Sequence, residues 1–283
     1  MHAWREDIDP ELWQHLRRYH FDEAAFAAHA AALAGGRRPT DFNALEAEVA
    51  PPASSDLPAL DALTPELQAS AEAEGRSAIA AGRCGAIILA GGMATRFGGR
   101  VKALVPVLGG HTFLGWKLRM LAHTASSLGV RLPVYIMTSF ATDHAIRDAL
   151  SAWQHPSLQL HTFTQGISLR LQRDGQLFRT QDGKLSTYAP GHGDVSWALY
   201  KSGLLADFRA QGGEHLWLSN VDNLGADLTP LLAGLHLRAG KAITVELAAK
   251  EAGDKGGAPA RVDGALQIVE GFRFPPDFDQ DTI

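Results

Sequence analysis

A glycine-rich stretch about one third of the way along the chain has the residue types that bind phosphate. Residues 91–99 include four glycines, Gly91, Gly92, Gly98 and Gly99. A loop without side chains lets backbone N–H groups approach a ligand closely. Cations lie in or just after the loop, at Arg96, Arg100 and Lys102. This combination predicts a phosphate chain as the ligand; the structural alternative is a plain glycine-rich turn before a strand.

Two common phosphate-binding loops do not fit this stretch. A Walker loop ends in Gly-Lys-Ser/Thr, whereas Arg96 and Phe97 stand at that place here. A dinucleotide fingerprint requires Gly-x-Gly-x-x-Gly and an acidic residue about 20 positions later. No Asp or Glu occurs from Gly75 to Thr142. An NAD-dependent oxidoreductase is therefore disfavoured.

Charge is segregated along the chain, although the net charge is only −5. Residues 1–74 carry 14 acids against 5 Lys or Arg, whereas residues 75–142 carry no acid and 8 Lys or Arg. These eight cations are Arg76, Arg83, Arg96, Arg100, Lys102, Lys117, Arg119 and Arg131. One basic segment in an acidic protein favours a small polyanionic ligand over nucleic acid. Some of the eight are expected to be ordinary surface cations.

Two other places in the sequence have residue types that could complete a site. His192 lies between two glycines, just before Asp194, which is expected to cap a helix as its N-terminal residue. Asp222 follows an apolar strand and is flanked closely by Asn220 and Asn223. A carboxylate at a strand end near phosphates is a suitable Mg²⁺ ligand. The alternatives are an ordinary loop histidine and an Asx-turn.

The elements that must position these residues alternate between strand and helix. Strands are predicted at 86–90, 134–138, 158–163, 215–219 and 242–248, and helices at 112–127, 143–153, 194–210 and 228–238, followed by a hairpin at 261–269. Such alternation predicts an α/β fold with a mainly parallel, doubly wound sheet. In such a sheet ligands bind at the carboxyl ends of the strands, where Gly91, Gln165 and Asp222 fall.

The chain is expected to divide near residue 82. Residues 1–82 are predicted to form a helical N-terminal extension and linker, with one helix from Asp9-Pro10 to Gly35-Gly36 and another from Thr64-Pro65 to about Ala81. Residues 83–283 are predicted to form the catalytic domain. No apolar run approaches the ~20 residues of a membrane span, and the acidic N-terminus lacks a signal peptide's apolar region. Cys84 is the only cysteine, so an intrachain disulfide is excluded; a cytoplasmic protein fits best.

Six segments together resemble the eukaryotic-type UDP-glucose pyrophosphorylase family, the UTP–glucose-1-phosphate uridylyltransferases. The segments are LAGGMATRFGGRVKALVPV, YIMTSFATD, HTFTQG, APGHGDVSWALYKSGLL, HLWLSNVDNLGADL and DKGGAPARVDGALQIVE. They occur in the family's order over about two-thirds of the chain. The resemblance implies a Rossmann-like, glycosyltransferase-A type nucleotidyltransferase core. The family pattern continues past the last residues, FDQDTI, so we expect the sequence to be a fragment without the C-terminal part.

The resemblance also implies roles for individual residues. The uracil and ribose would be bound by the backbone of Leu89, Ala90, Gly91 and Gly92, by Gln165 and Gly191 at the base, and by Asn220 at the ribose. The sugar phosphate, pyrophosphate and hexose would lie near His192, Lys255 and Glu270, respectively. Lys102 would contact the triphosphate, with Arg100 as a rival, and Asp222 would hold Mg²⁺. Arg96 would add positive charge beside Lys102.

The implied reaction is the transfer of UMP from UTP to glucose-1-phosphate, which yields UDP-glucose and pyrophosphate. Catalysis would consist of positioning and charge neutralisation by Mg²⁺, Lys102 and Arg96, because the sugar phosphate is itself the nucleophile. The alternatives are a UDP-sugar or UDP-N-acetylhexosamine pyrophosphorylase, and a catalytically incomplete UTP-binding fragment with a regulatory role. UTP and a sugar-1-phosphate are the expected partners, with neither nucleic acid nor membrane; the oligomeric state is not predicted.

Overall fold

A computed structural model describes residues 3–94, 98–249, 256–275 and 277–278 of the 283-residue chain. Arg96 and Lys255 lie outside the described residues, so their predicted roles stay predictions. The helices are α1 Pro10–Arg18, α2 Glu23–Ala34, α3 Pro65–Ala80, α4 Phe113–Ser127, α5 Asp143–Ser151, α6 Val195–Lys201, α7 Leu204–Ala210 and α8 Pro230–Ala239. The strands are β1 Val49–Ala50, β2 Cys84–Leu89, β3 Met93–Ala94, β4 Arg100–Val101, β5 Pro106–Leu108, β6 His111–Thr112, β7 Leu132–Thr138, β8 Leu158–Thr164, β9 Ser168–Leu169, β10 Thr187–Tyr188, β11 His215–Asn220, β12 Ala258–Val262 and β13 Ala265–Val269.

A four-stranded parallel sheet forms the centre of the fold, in the order β11-β2-β7-β8. From β2 the chain proceeds through α4, β7 and α5 to β8, and then returns to place β11 on the other side of β2. The strand order therefore changes direction between β2 and β11, where Leu89 pairs with Asn220. Such a switch point opens a ligand crevice at the carboxyl ends of the strands.

Both faces of the sheet are covered by helices, which is why the two central strands, β2 and β7, are mostly apolar. On one face, Ile88 of β2 and Ile136 of β7 pack in a core with residues of α3, α4 and α5. On the other face, Ile87 and Tyr135 pack against α6 and α7, with Phe208 at the centre of that contact. The predicted α/β class with a mainly parallel sheet is confirmed.

The N-terminal residues contact the rest of the fold at two places. Helices α1 and α2 pack with β9, where Leu16 and Phe26 share a core with Leu169. Helix α1 begins as predicted, because the Asp9 carboxylate accepts the Leu12 N–H at 2.8 Å and Pro10 occupies the first turn. Strand β1 pairs with β12, which extends the β12–β13 hairpin to three strands.

Three sequence predictions of secondary structure need correction. The helix predicted from Asp9 to Gly35 is two helices, separated by a turn in which His20 has a φ of +57°. The helix predicted at 194–210 is also divided, at Gly203, whose φ is +81°. The strand predicted at 242–248 has no regular structure. Within the described part of the chain, no helix is long and apolar enough to cross a membrane.

Candidate nucleotide site

Four turns meet at the carboxyl edge of the parallel sheet, one after each strand. Backbone hydrogen bonds continue the sheet one residue past the strand ends: Ala90 N–H donates to Met137 O at 2.8 Å, and Gln165 N–H donates to Thr138 O at 3.0 Å. On the other side of β2, Val221 N–H donates to Leu89 O at 3.2 Å. The predicted residues Ala90, Gln165 and Asp222 thus sit on neighbouring, fixed turns.

The first half of the site, the base side, is a cluster of two buried side chains, Gln165 and Ser139, and two partly buried glycines, Gly91 and Gly191. Only 3% of Gln165 is exposed, and its Oε1 accepts the Gly191 N–H at 2.7 Å. Its Nε2 lies so close to Gly91 that a Cβ there would come within 2.2 Å of it. Ser139 Oγ donates to the Gly91 carbonyl at 2.9 Å. Gly91 is therefore required for the close approach of the Gln165 side chain. The approach of a ligand to the glycine loop stays a prediction.

The loop that carries Gly191 is held by its neighbour Asp194. The φ of Gly191 is +96°, a conformation that favours glycine. Asp194 occupies the N-cap position of α6 as predicted, but its side chain makes no capping hydrogen bond. Its Oδ2 instead accepts the Gly166 N–H at 2.6 Å and so joins this loop to the residue after Gln165. His192 is exposed in the turn between them.

The second half of the site, the phosphate side, is an ion pair between Lys102 and Asp222. The Lys102 Nζ lies 3.1 Å from Asp222 Oδ2, although the two residues are 120 positions apart in sequence. Each side chain is 39% exposed. Lys102 begins a short 3-10 turn after β4, and its N–H donates to the Gly92 carbonyl at 3.1 Å. The ion pair therefore lies beside the glycine loop.

The rival cation, Arg100, has no such contact. It is exposed on β4, opposite Ala94, and makes no ion pair with any described residue. The geometry thus favours Lys102 over Arg100 as the cation that meets a ligand near Asp222.

The chemistry of Asp222 fits a magnesium ion. Among the described residues, no group of three or more His, Cys, Asp or Glu side chains could hold a metal by itself. Mg²⁺ is usually bound by one or two carboxylates, with phosphate oxygens and water as its remaining ligands. A half-exposed carboxylate beside a predicted phosphate loop supplies the protein's share of such a set.

The remaining predicted residues lie at the periphery of these two clusters. Asn220 is exposed at the end of β11, directly before the Asp222 turn, and pairs in register with Leu89. Glu270 is partly buried at the end of β13, where its carbonyl accepts the Arg273 N–H at 2.8 Å. No hydrogen bond or ion pair among the described residues joins Glu270 or His192 to the Lys102–Asp222 pair.

Several cations of the basic segment contact other residues of the chain and so are not available to a ligand. Arg83 pairs with Glu214 at 2.5 Å, and Arg76 pairs with Glu72 at 2.8 Å. Lys117 is completely buried in α4. The expected excess of positive charge around the loop is therefore smaller than the sequence suggests.

Lys117 is the residue of this region that the sequence interpretation missed. Its ammonium group donates to the Ala226 carbonyl, in the loop that follows Asp222. Burial lowers the pKa of Lys117 to about 8, while Asp227 and Asp222 act in the opposite direction. Its position could have been found from spacing, since Leu114, Lys117, Leu118 and Leu121 follow the i, i+3, i+4, i+7 pattern of a core-facing helix side.

A parallel sheet with a glycine loop and an ion pair at its switch point defines an α/β protein of the class that binds ligands at this edge. A sequence model of the UTP–glucose-1-phosphate uridylyltransferase family matches residues 42–281. The chain therefore belongs to this family.

Individual relatives agree with this assignment. A probable UTP–glucose-1-phosphate uridylyltransferase of Schizosaccharomyces pombe is 32% identical over 193 residues, which are 66% of this chain and 38% of the relative. This chain thus spans well under half of that relative's length.

Solved structures show the same fold. The UDP-glucose phosphorylase of Trypanosoma brucei aligns with a TM-score of 0.69 and 23% identity, over 94% of this chain and 56% of that one. The uridine diphosphate N-acetylglucosamine pyrophosphorylase of the same organism aligns with a TM-score of 0.70 and 20% identity, over 90% of this chain and 57% of that one. The Rossmann-like nucleotidyltransferase fold expected from the sequence is confirmed.

Proposed function

We propose that this chain carries the UTP site of a uridylyltransferase that transfers UMP from UTP to glucose-1-phosphate. The observation that supports this most strongly is the meeting of Lys102 and Asp222 beside the buried Gln165–Gly91–Gly191 cluster. One half of the site offers neutral hydrogen-bonding groups suited to a base. The other half offers opposite charges suited to a metal-bound triphosphate.

The base side binds uracil through groups that are already in place. The Gln165 amide is held by Gly191, and it can lie against the backbone of the glycine loop because Gly91 has no side chain. A preformed polar pocket discriminates strongly against a ligand that leaves its groups unpaired. Asn220, at the end of the neighbouring strand, is the nearest predicted residue for the ribose.

On the phosphate side, Lys102 and Asp222 give up their mutual ion pair for contacts with the ligand. In the free protein Lys102 and Asp222 neutralise each other at 3.1 Å. When UTP binds, Lys102 turns from Asp222 to a triphosphate oxygen, and the released Asp222 carboxylate would be free to hold Mg²⁺. The bound ion would supply charge neutralisation and orientation at the triphosphate. Arg96 and Lys255 are proposed to add positive charge at the leaving pyrophosphate.

The reaction needs no protein nucleophile. A phosphate oxygen of glucose-1-phosphate attacks the α-phosphorus of UTP in line, the bond from that phosphorus to the bridging oxygen breaks, and pyrophosphate leaves with that oxygen. Lys102 stabilises the developing charge. His192 and Glu270 are proposed to orient the sugar phosphate and the hexose, respectively.

A pyrophosphate-release assay tests this proposal. The protein is incubated with Mg²⁺ and UTP together with glucose-1-phosphate, galactose-1-phosphate or N-acetylglucosamine-1-phosphate, and with ATP in place of UTP as a control. Release that requires UTP and is highest with glucose-1-phosphate supports the proposal. Higher release with another sugar would reassign the acceptor, and stabilisation by UTP without any release would indicate a UTP-binding role alone.

A cytoplasmic location is also part of the proposal. The only cysteine, Cys84, is buried and unpaired, and burial raises the pKa of its thiol to about 11. A single unpaired cysteine agrees with a reducing compartment. Detection of the protein in a cytosolic fraction checks this directly.

A further inference from the structure

The buried lysine of α4 has an unusual environment. Lys117 is completely buried among apolar neighbours that include Leu114 and Leu118. No carboxylate among the described residues hydrogen-bonds to its ammonium group, which donates instead to the Ala226 carbonyl. Burying a charge without a direct partner is costly. An apolar residue could fill this space without the free-energy cost of burying a charge. The presence of a lysine here therefore indicates a role beyond packing.

Lys117 touches both sides of the segment that carries Asp222. Before Asp222, its Nζ lies 5.1 Å from the centre of the Trp217 ring, which belongs to β11. After Asp222, it holds the carbonyl of Ala226. A single side chain therefore connects the strand that leads into the loop with the loop's far end.

The Asp222 loop has few other attachments. Val221 and Leu228 are buried in the core at either end, but the residues between them are exposed or only partly buried. In the part of the chain that the structure describes, two side chains from other elements hydrogen-bond to residues 222–227: Lys102, to Asp222, and Lys117, to Ala226. Under the proposed partner exchange, Lys102 leaves Asp222. Among the described residues, Lys117 is then the side chain from another element that still hydrogen-bonds to this loop.

We propose that Lys117 is a positioning residue that fixes the loop from Asp222 to Asp227, so that Asp222 stays in place to hold Mg²⁺ when Lys102 moves to the triphosphate. The role in holding Mg²⁺ rests on the proposed function. The attachment of the loop by Lys117 does not depend on it. Lys117 acts through the loop and not on the ligand, because its side chain is completely buried.

The test uses Lys117→Met, which keeps the length and most of the volume but removes the donor and the charge. Arg119→Met is the matched control, since it removes an exposed cation from the same helix. Hydrogen exchange of amides 222–229 is measured without ligand. Binding of UTP with and without Mg²⁺ is measured by calorimetry. Lys117→Gln, which keeps an N–H donor, is the second variant.

In Lys117→Met, we expect exchange at 222–229 to accelerate roughly tenfold or more, as for the loss of one charged hydrogen bond. The affinity for UTP with Mg²⁺ falls by a similar factor, and the affinity for metal-free UTP changes less than about twofold. Arg119→Met behaves as the wild type, and Lys117→Gln lies between the wild type and Lys117→Met. If Lys117→Met does not fold, Lys117→Gln takes its place, with the same regions expected to change.

Two results would overturn the inference. One is exchange and binding in Lys117→Met that equal those of Arg119→Met. The other is faster exchange across the whole sheet with equal losses for metal-free and Mg²⁺-bound UTP, which would indicate a merely structural role. If the wild type binds no UTP, the proposed function fails, while the exchange measurement still tests the attachment of the loop.

Discussion

The two halves of the candidate site are built on opposite principles. The base side is neutral and buried: Gln165 is 3% exposed, is held by Gly191, and rests on Gly91. The phosphate side is charged and open, with Lys102 and Asp222 each 39% exposed. Both halves lie at the same edge of one sheet, so the difference does not arise from their supporting strands.

The difference follows from what each ligand part requires. A base is recognised by the directions of its hydrogen-bond donors and acceptors. Buried protein groups in fixed positions match those directions best. A metal-bound triphosphate brings its own charge, so the protein needs cations and carboxylates that can change partners. A half-exposed ion pair contributes only about 0–1 kcal/mol to stability. It can therefore be exchanged at small cost.

The largest expected effect is on the phosphate side. In Lys102→Ala and Asp222→Ala, kcat should fall by roughly 10²–10³, as when one charge-stabilising group is removed from an active site. The melting temperature should change by only a few degrees, because the exposed pair contributes little to folding. Calorimetric unfolding and pyrophosphate release check both statements. Near-normal release by either folded variant would remove that residue from the mechanism.

The second expected effect is a pH dependence of the free energy of unfolding, and it arises from Lys117, which bonds to the loop of the phosphate side. The folded pKa of Lys117 is about 8, below the ordinary value of 10.5, so the unfolded chain binds more protons between these values. The wild type should therefore become more stable relative to Lys117→Met as pH rises from 8 to 10.5, by on the order of 3 kcal/mol. Below pH 8 the difference should be constant. Denaturant unfolding of both proteins across this range measures it, and parallel stability curves would contradict the assignment.

A smaller effect is expected on the base side. A Cβ in Gly91→Ala would lie 2.2 Å from Gln165 Nε2, so the amide must move and its bond with Gly191 is lost. The KM for UTP should rise about tenfold, the effect of one disrupted buried hydrogen bond, with a smaller change in kcat. Gly35→Ala is the control, since Gly35 ends α2 with a φ of −77° and its Cβ would meet nothing closer than 3.4 Å. Equal kinetics in the two variants would show that the base side is not rigid.

The sequence predicts most of the fold because its core strands are apolar runs bounded by turn residues. The strands predicted at 86–90 and 215–219 agree with β2 and β11 to within two residues. The predicted secondary structure is wrong where a single residue ends an element or where a predicted strand has no partner. The left-handed Gly203 divides a helix whose pattern continues past it. The alternating residues 242–248 have strand character, but among the described residues no strand pairs with them.

The candidate site was predictable in its composition but not in its contacts. Glycines, amides and a carboxylate at strand ends indicate a ligand edge. Strand order and loop path decide which residues meet. They bring Lys102 to Asp222, and they bring the Asp194 carboxylate to the Gly166 N–H instead of to its own helix. Periodicity does not encode either of these.

A crystal structure of the protein with UTP and Mg²⁺ tests the central claim most directly. The account predicts uracil against Gln165 and Gly91, and the triphosphate between the glycine loop and Asp222, with Lys102 Nζ turned from that carboxylate to a phosphate oxygen. Nucleotide density elsewhere, with the Lys102–Asp222 pair intact, would contradict it.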